Sequence, residues 1–337
     1  MASPKNKNVA SPPLKRVNAF LAGLILPVFL VLAWHAAYGQ QQDAPRKMET
    51  ASVSVEPPAA LPAPAFSEEE EFKHMRQLFE TQVFKHTLER LERSKKLWSK
   101  STKIQQIMDE RRQRLLALDK PYRDAVREDV RAQLKATGLA FDGSQYFAWA
   151  DRNPAAQIIL VGFYDAKLDR MDFLGADLIS SGNLEKGGDY FLTPVGIFEN
   201  RIDNFGYRAQ GTPNQEGWRG LGGKDSRVWD FGYQKSLKKY KGGNTMSEMR
   251  LLMHATDPER GEPRLGRIDS KGCVRISQYL NRFLDTYAVL DRHYEEWART
   301  KPDSWLLRKD RQPVGYPGKY LFIGDSSLQH AAATAKP

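Results

Sequence analysis

Apolar positions along the chain fall into three regimes. The first is an unbroken run over residues 19–34, preceded by Lys5, Lys7, Lys15 and Arg16 and by no acid. It is slightly long for the core of a secretion signal and slightly short for a comfortable membrane span. Ala37-Tyr38-Gly39 offers small residues at the two positions a signal peptidase reads. Residues 1–39 are therefore expected to be a signal peptide or an N-terminal membrane anchor. Either sends the remainder out of the cytoplasm, to the periplasm or cell envelope. Residues 40–66, rich in Gln, Ala, Pro and Ser, show no apolar periodicity and read as a disordered linker.

The second regime has helical spacing. Ser67-Glu68-Glu69-Glu70 fits a capping box with acids on the first turn. Phe72, Met75, Phe79 and Val83 follow, then Leu88 and Leu91, then Ile104, Ile107, Met108, Leu115 and Leu118. Pro121 suits a helix start, Ala125, Val126, Val130 and Leu134 continue it, and Gly138 suits its stop. Residues 67–149 are expected to form a helical accessory region of two or three amphipathic helices. No strict heptad persists, which argues against a coiled coil.

From Gln157 the period shortens. Residues 157–164 read as a strand, 165–169 as a turn, and 171–180 as a partner strand. Residues 189–198, 227–237, 248–254 and 319–323 carry further strand signals. Ser277 is expected to cap a helix containing Leu280, Phe283, Leu284, Tyr287 and Leu290. Residues 200–226, rich in Gly, Asn and Asp, read as a long loop. Tyr207, Trp218 and Arg219 in it either line a groove or pack on the surface. Asp230 reads as an exposed strand residue or as a polar partner behind a site. Short strands and long loops argue for a mostly β domain over residues 150–325, with a disordered tail over 326–337.

Net charge is +10, yet there is no aromatic RNA-binding motif, arginine-rich arm or zinc-ligand set, so no nucleic-acid partner is expected. The balance fits a solvated basic surface, or an anionic partner such as a membrane or cell-wall polymer. Six scattered His and one Cys show no ligand cluster, and neither metal nor cofactor is expected.

That single cysteine carries the chemistry. Cys273 has no partner for an internal disulfide, and an exported chain seldom keeps an idle free thiol. It lies in Ser270-Lys271-Gly272-Cys273-Val274-Arg275, a segment separated by fifteen residues from His254, which ends an apolar strand. A cysteine and a histidine brought together by the fold make a nucleophile and a base, with the imidazole generating and stabilising a thiolate. Gly272 permits a tight turn that aims amide N–H groups at a reacting carbonyl, with Gly272 and Cys273 as oxyanion donors. Ser270 suits a turn-fixing role. Arg275 either holds a substrate carboxylate or forms a structural ion pair. Lys271 either lowers the thiol pKa, meets substrate carboxylates, or points into water.

The pattern H-x15-S-x-G-C-V-R resembles the signature of the L,D-transpeptidases, the YkuD-type catalytic domain of bacterial cell-wall enzymes. Thr193-Pro194-Val195-Gly196-Ile197-Phe198 is similar to a second string of that family. The resemblance implies a β-sandwich catalytic domain. It implies His254 as base, Cys273 as acyl-accepting nucleophile, and the Ala255 carbonyl as the group orienting the imidazole. The chain departs from the commonest pattern at Lys271, where histidine is frequent, and at Ala255, where glycine is usual. The implied reaction forms a thioester with a peptidoglycan stem tetrapeptide and passes the acyl group to an amine, in cell-wall biogenesis. The implied partners are stem peptides, and the membrane if the N-terminal segment stays uncleaved. Resolution by water would make an L,D-carboxypeptidase instead, and loss of activity a silent wall-binding module.

Overall fold

Ser67 opens the first helix: its side chain accepts from Glu70 N–H while the Glu70 carboxylate accepts from Ser67 N–H at 3.1 Å. The computed structural model describes residues 64–327 apart from 241, 302 and 303. The expected signal or anchor, the linker up to residue 63 and the tail beyond 327 lie outside the described residues. Among the described residues no helix is long and apolar enough to cross a membrane.

Helix α1 (Glu68–Phe79) runs through a π-helical turn (Glu80–Phe84) into α2 (Lys85–Leu97). Helix α3 (Thr102–Leu116) is capped by Ser101. Helix α4 (Lys120–Thr137) is capped by Asp119, carries Pro121 in its first turn, and stops at Gly138 with φ +69°. That left-handed conformation is the reason a glycine ends the helix.

Two mixed sheets follow. The first contains β1 (Gln145–Asp151), β2 (Ile158–Asp165), β3 (Arg170–Leu178), β4 (Gly196–Glu199) and β9 (Tyr320–Gly324), in the order β3-β2-β1-β9-β4 with only β1 and β9 parallel. The second contains β5 (Tyr207–Arg208), β6 (Arg227–Tyr240), β7 (Gly243–Ala255) and β8 (Val274–Ile276), in that order, with β7 and β8 parallel. Helices α5 (Gln278–Thr286), capped by Ser277, and α6 (Arg292–Ala298) lie between β8 and β9.

The strand period of two distributes side chains between two cores. Tyr146, Ala148, Ala150, Ile159, Val161, Leu321 and Ile323 of the first sheet meet Trp229, Met249, Leu251, Met253, Val274 and Ile276 of the second, together with Met75, Phe79 and Val83 of the leading helix. The opposite face of the first sheet, with Phe147, Trp149, Leu160, Leu178 and Phe322, is covered by Leu91, Met108, Leu115, Val126, Val130 and Leu134 from α2, α3 and α4.

This layering corrects two expectations. The architecture is mixed α/β rather than mostly β, because a sheet buried on both faces needs the helices as its second cover. The helices are not a separable accessory region either. A boundary at 149/150 would cut β1, and the described residues cluster as a single unit. Residues 189–195 also differ from expectation, forming loop with a single bridge from Phe191 to Lys238.

Candidate active site

Pairing registers put the candidate residues on one face of the second sheet. His254 on β7 stands opposite Arg275 on β8 and opposite Val228 on β6, which pairs with Tyr207. Leu252, two positions earlier, stands opposite Asp230. Cys273 immediately precedes β8, level with Leu252, so it shares the face of Arg275 and His254. The alternate residues, Leu251, Met253, Val274 and Ile276, point into the core.

His254 is 4% exposed. Its Nδ1 lies 2.6 Å from the Ala255 carbonyl oxygen. A carbonyl only accepts, so Nδ1 carries the proton and Nε2 keeps its lone pair. Burial drives the imidazole pKa down; the Ala255 hydrogen bond opposes this and the Arg275 charge assists it, leaving it at about 4. His254 is neutral across the physiological range.

Cys273 is partly exposed, and burial of its thiol pushes the pKa up. The Leu252 N–H and the Arg275 charge pull it down, while Asp230 pushes it up again. Sγ lies 4.0 Å from the Arg250 carbonyl oxygen. A depressed imidazole and a raised thiol mean that the resting pair is neutral. The thiolate–imidazolium pair expected from sequence is not the ground state, because burial penalises both charged forms.

The turn before Cys273 is held from several sides. Ser270, fully buried, donates through Oγ to the Cys273 carbonyl at 2.6 Å and accepts from Gly272 N–H at 3.0 Å. Thr193 Oγ donates to the Gly272 carbonyl at 2.8 Å and accepts from Gly182 N–H at 2.7 Å. Phe191 N–H donates to the Lys271 carbonyl at 3.1 Å. Gly272 has φ +129°, and a Cβ there would lie 2.8 Å from the Met249 sulfur. The Gly272 N–H, expected to serve an oxyanion, is thus already engaged by Ser270. The Cys273 N–H takes no backbone acceptor among the described contacts.

Arg275 donates to the Asp269 carbonyl at 3.2 Å and lies 3.6 Å from its carboxylate, which is the structural ion pair of its two expected roles. Burial pushes the Asp269 carboxyl up, but Lys186, Arg264 and Arg275 hold it below its ordinary range. Lys271 is exposed, with its ammonium 5.8 Å from the Tyr190 ring centre. Asp230 is fully buried, 2.5 Å from Arg250 and accepting from Gly232 N–H at 2.9 Å, which corrects its reading as an exposed strand residue. Tyr207 faces the site: burial, Asp230 and Cys273 together raise its hydroxyl pKa. Trp218 and Arg219 pack instead on the loop after His254, Trp218 under Arg264 and Arg219 N–H on Asp257.

That loop, 256–269, joins His254 to the turn that carries Cys273, and the helices grip it. Arg90 of α2 pairs with Glu262 and lies 3.6 Å from Asp177. Glu262 also accepts from Gln278 N–H at 2.6 Å, and Asp177 from Thr87 at 2.8 Å and Ser277 at 2.5 Å. Arg111 and Arg114 of α3 donate to the carbonyls of Pro263 at 2.6 Å and Gly266 at 3.0 Å. None of these partners carries a motif, so only long-range packing reveals them. A cleft of about 610 Å³ bounded by α1, α6 and residues 311–317 contains none of the site residues.

Comparison with protein-family models and with curated proteins gave no match.

Proposed function

We propose that this chain is an L,D-transpeptidase-type cysteine acyltransferase acting on peptidoglycan stem peptides in the cell envelope. The observation that carries the proposal is the shared sheet face of Cys273 and a neutral His254 whose Nδ1–H is fixed on the Ala255 carbonyl. Two sheets packed face to face around one core support the β-sandwich reading of the domain.

In the proposed reaction His254 Nε2 takes the thiol proton as Sγ attacks the carbonyl between the L-centre of the diamino acid and the terminal D-amino acid. With both groups neutral at rest, proton transfer accompanies attack rather than preceding it. The Cys273 N–H receives the developing oxyanion, a type of contact worth about 3 kcal/mol. Collapse breaks the C–N bond, and the imidazolium returns its proton to the departing amine. The thioester is then attacked by an acceptor amine, whose proton passes to His254 Nε2; collapse breaks the C–S bond, and the leaving thiolate takes that proton back from the imidazolium, restoring the neutral pair.

Purified full-length protein incubated with a tetrapeptide muropeptide tests this by mass spectrometry. Cross-linked dimers, absent with Cys273→Ser, are expected. Tripeptide without dimer would identify water as the acceptor. No product and no carbapenem adduct on Cys273 would leave a silent wall-binding module and end the proposal.

A further inference from the structure

The turn between α2 and α3 gathers basic and large apolar side chains. Residues 93–103 contain Arg93, Lys95, Lys96, Lys100 and Lys103 and no acid. Lys95 is paired with Asp109 at 2.6 Å, while the other four take no acidic partner among the described residues. Between them two large apolar side chains stand side by side in water, Leu97 at 78% exposure and Trp98 at 51%.

The turn is ordered. Trp98 N–H donates to Ser94 O at 3.1 Å and Ser101 N–H to Trp98 O at 2.9 Å. The Gln105 amide reaches back to the carbonyls of Lys95 at 2.7 Å and Trp98 at 3.1 Å. Ser101 caps α3 by accepting from Ile104 N–H. The carbonyls of Ser94, Lys95, Lys96 and Trp98 are therefore satisfied within the protein, and the backbone holds Leu97 and Trp98 outward at no further ordering cost.

We propose that this turn docks on the surface of an anionic lipid bilayer. Indole and leucine side chains leave water at the headgroup boundary, where tryptophan is enriched. Lysines around them extend their stems over apolar surface and keep their ammonium groups among anionic headgroups. A soluble polyanion would satisfy the charges but leave Leu97 and Trp98 exposed, so lipid fits both halves of the feature. The proposal is independent of the catalytic reading.

The test uses the full chain carrying Cys273→Ser and Ser99→Cys, labelled at the new thiol with an environment-sensitive dye. The dye reports on the turn itself, whatever else holds the chain on a vesicle. On phosphatidylcholine vesicles containing phosphatidylglycerol we expect a blue shift and quenching by nitroxide lipids, both absent on phosphatidylcholine alone. Lys96→Glu with Lys100→Glu should weaken the response at least about tenfold, from roughly fivefold per basic residue. Leu97→Ala with Trp98→Ala should remove it. All four positions are exposed, so the fold should survive; unchanged thermal melting checks this. A dye that stays in water on anionic vesicles overturns the proposal, as does a response indifferent to the charge reversal. An equal shift with soluble polyphosphate would assign the turn to an anionic polymer instead.

Discussion

His254 makes the folded state sensitive to acid in a calculable way. Its pKa is about 4 in the fold, against about 6.5 in an unfolded chain. The fold therefore holds the neutral imidazole, and the unfolded chain binds the extra proton between those two values. This contribution to stability is fully present above pH 6.5 and is lost as pH falls toward 4. At about 1.4 kcal/mol per unit, the loss amounts to about 3 kcal/mol. His254→Asn isolates it: an amide nitrogen at the Nδ1 position still donates to Ala255 O, but nothing titrates. Urea unfolding of both proteins at pH 7 and near pH 4 gives the difference directly. Groups that titrate elsewhere, such as the raised carboxyls of Glu71 and Asp285, act alike on both proteins and cancel. Wild type should lose about 3 kcal/mol more than the variant across that interval. Parallel pH dependence would refute the claim that the imidazole is buried and neutral, and with it the general-base mechanism.

The thiol should alkylate slowly at neutral pH and faster above pH 9; Arg275→Met should push the rate profile to still higher pH, while Lys271→Met should leave it in place, as iodoacetamide kinetics would record. Arg90→Met leaves Glu262 and Asp177 buried without their cation and should cost about 3–5 kcal/mol in urea unfolding; a loss under about 1 kcal/mol would show the network to be slack. Gly182→Ala places a Cβ 2.0 Å from the Phe191 carbonyl oxygen and 3.0 Å from Gly272 Cα. It should cost about 1–3 kcal/mol and lower thioester formation further than the stability loss explains, measured in single turnover on protein still folded by circular dichroism.

What could be read from sequence follows the range of the interactions concerned. Ser67, Pro121, Gly138 and Ser277 act on backbone groups within four residues of themselves, and each terminates a helix as the local chemistry requires. Strand β1 escaped because Gln145–Asp151 is buried on both faces and shows no alternation. Helix α6 is only seven residues long, too short for a helical period to register. The loop 189–195 reads as a strand because Tyr190, Phe191, Leu192 and Thr193 form a short run of mostly strand-favouring residues. Its hydrogen-bonding groups are instead spent on the turn before Cys273, Phe191 N–H on the Lys271 carbonyl and Thr193 Oγ on the Gly272 carbonyl. Alternation leaves Asp230 open between a solvent-facing residue and a polar partner behind the site; it is buried, and Arg250 across the hairpin compensates its charge.

The site's ionisation was the least legible feature, because it depends on burial and not on residue identity. A cysteine, a histidine and a nearby cation suggest a thiolate pair whenever water is assumed between them. Here His254 is buried and Cys273 keeps only part of its exposure, and desolvation at the sulfur outweighs the help that Arg275 gives it. The same cation works against protonation of His254. Arg275 therefore favours the two halves of the proton transfer unequally: it stabilises the thiolate product and disfavours the imidazolium product. An ion pair with Asp269, itself held by Lys186 and Arg264, limits that bias by sharing the guanidinium charge. Positioning of Asp269 at the end of the helix-gripped loop then links the charge balance at the sulfur to packing of α2 and α3, which is why the helices belong to the site as much as the strands do.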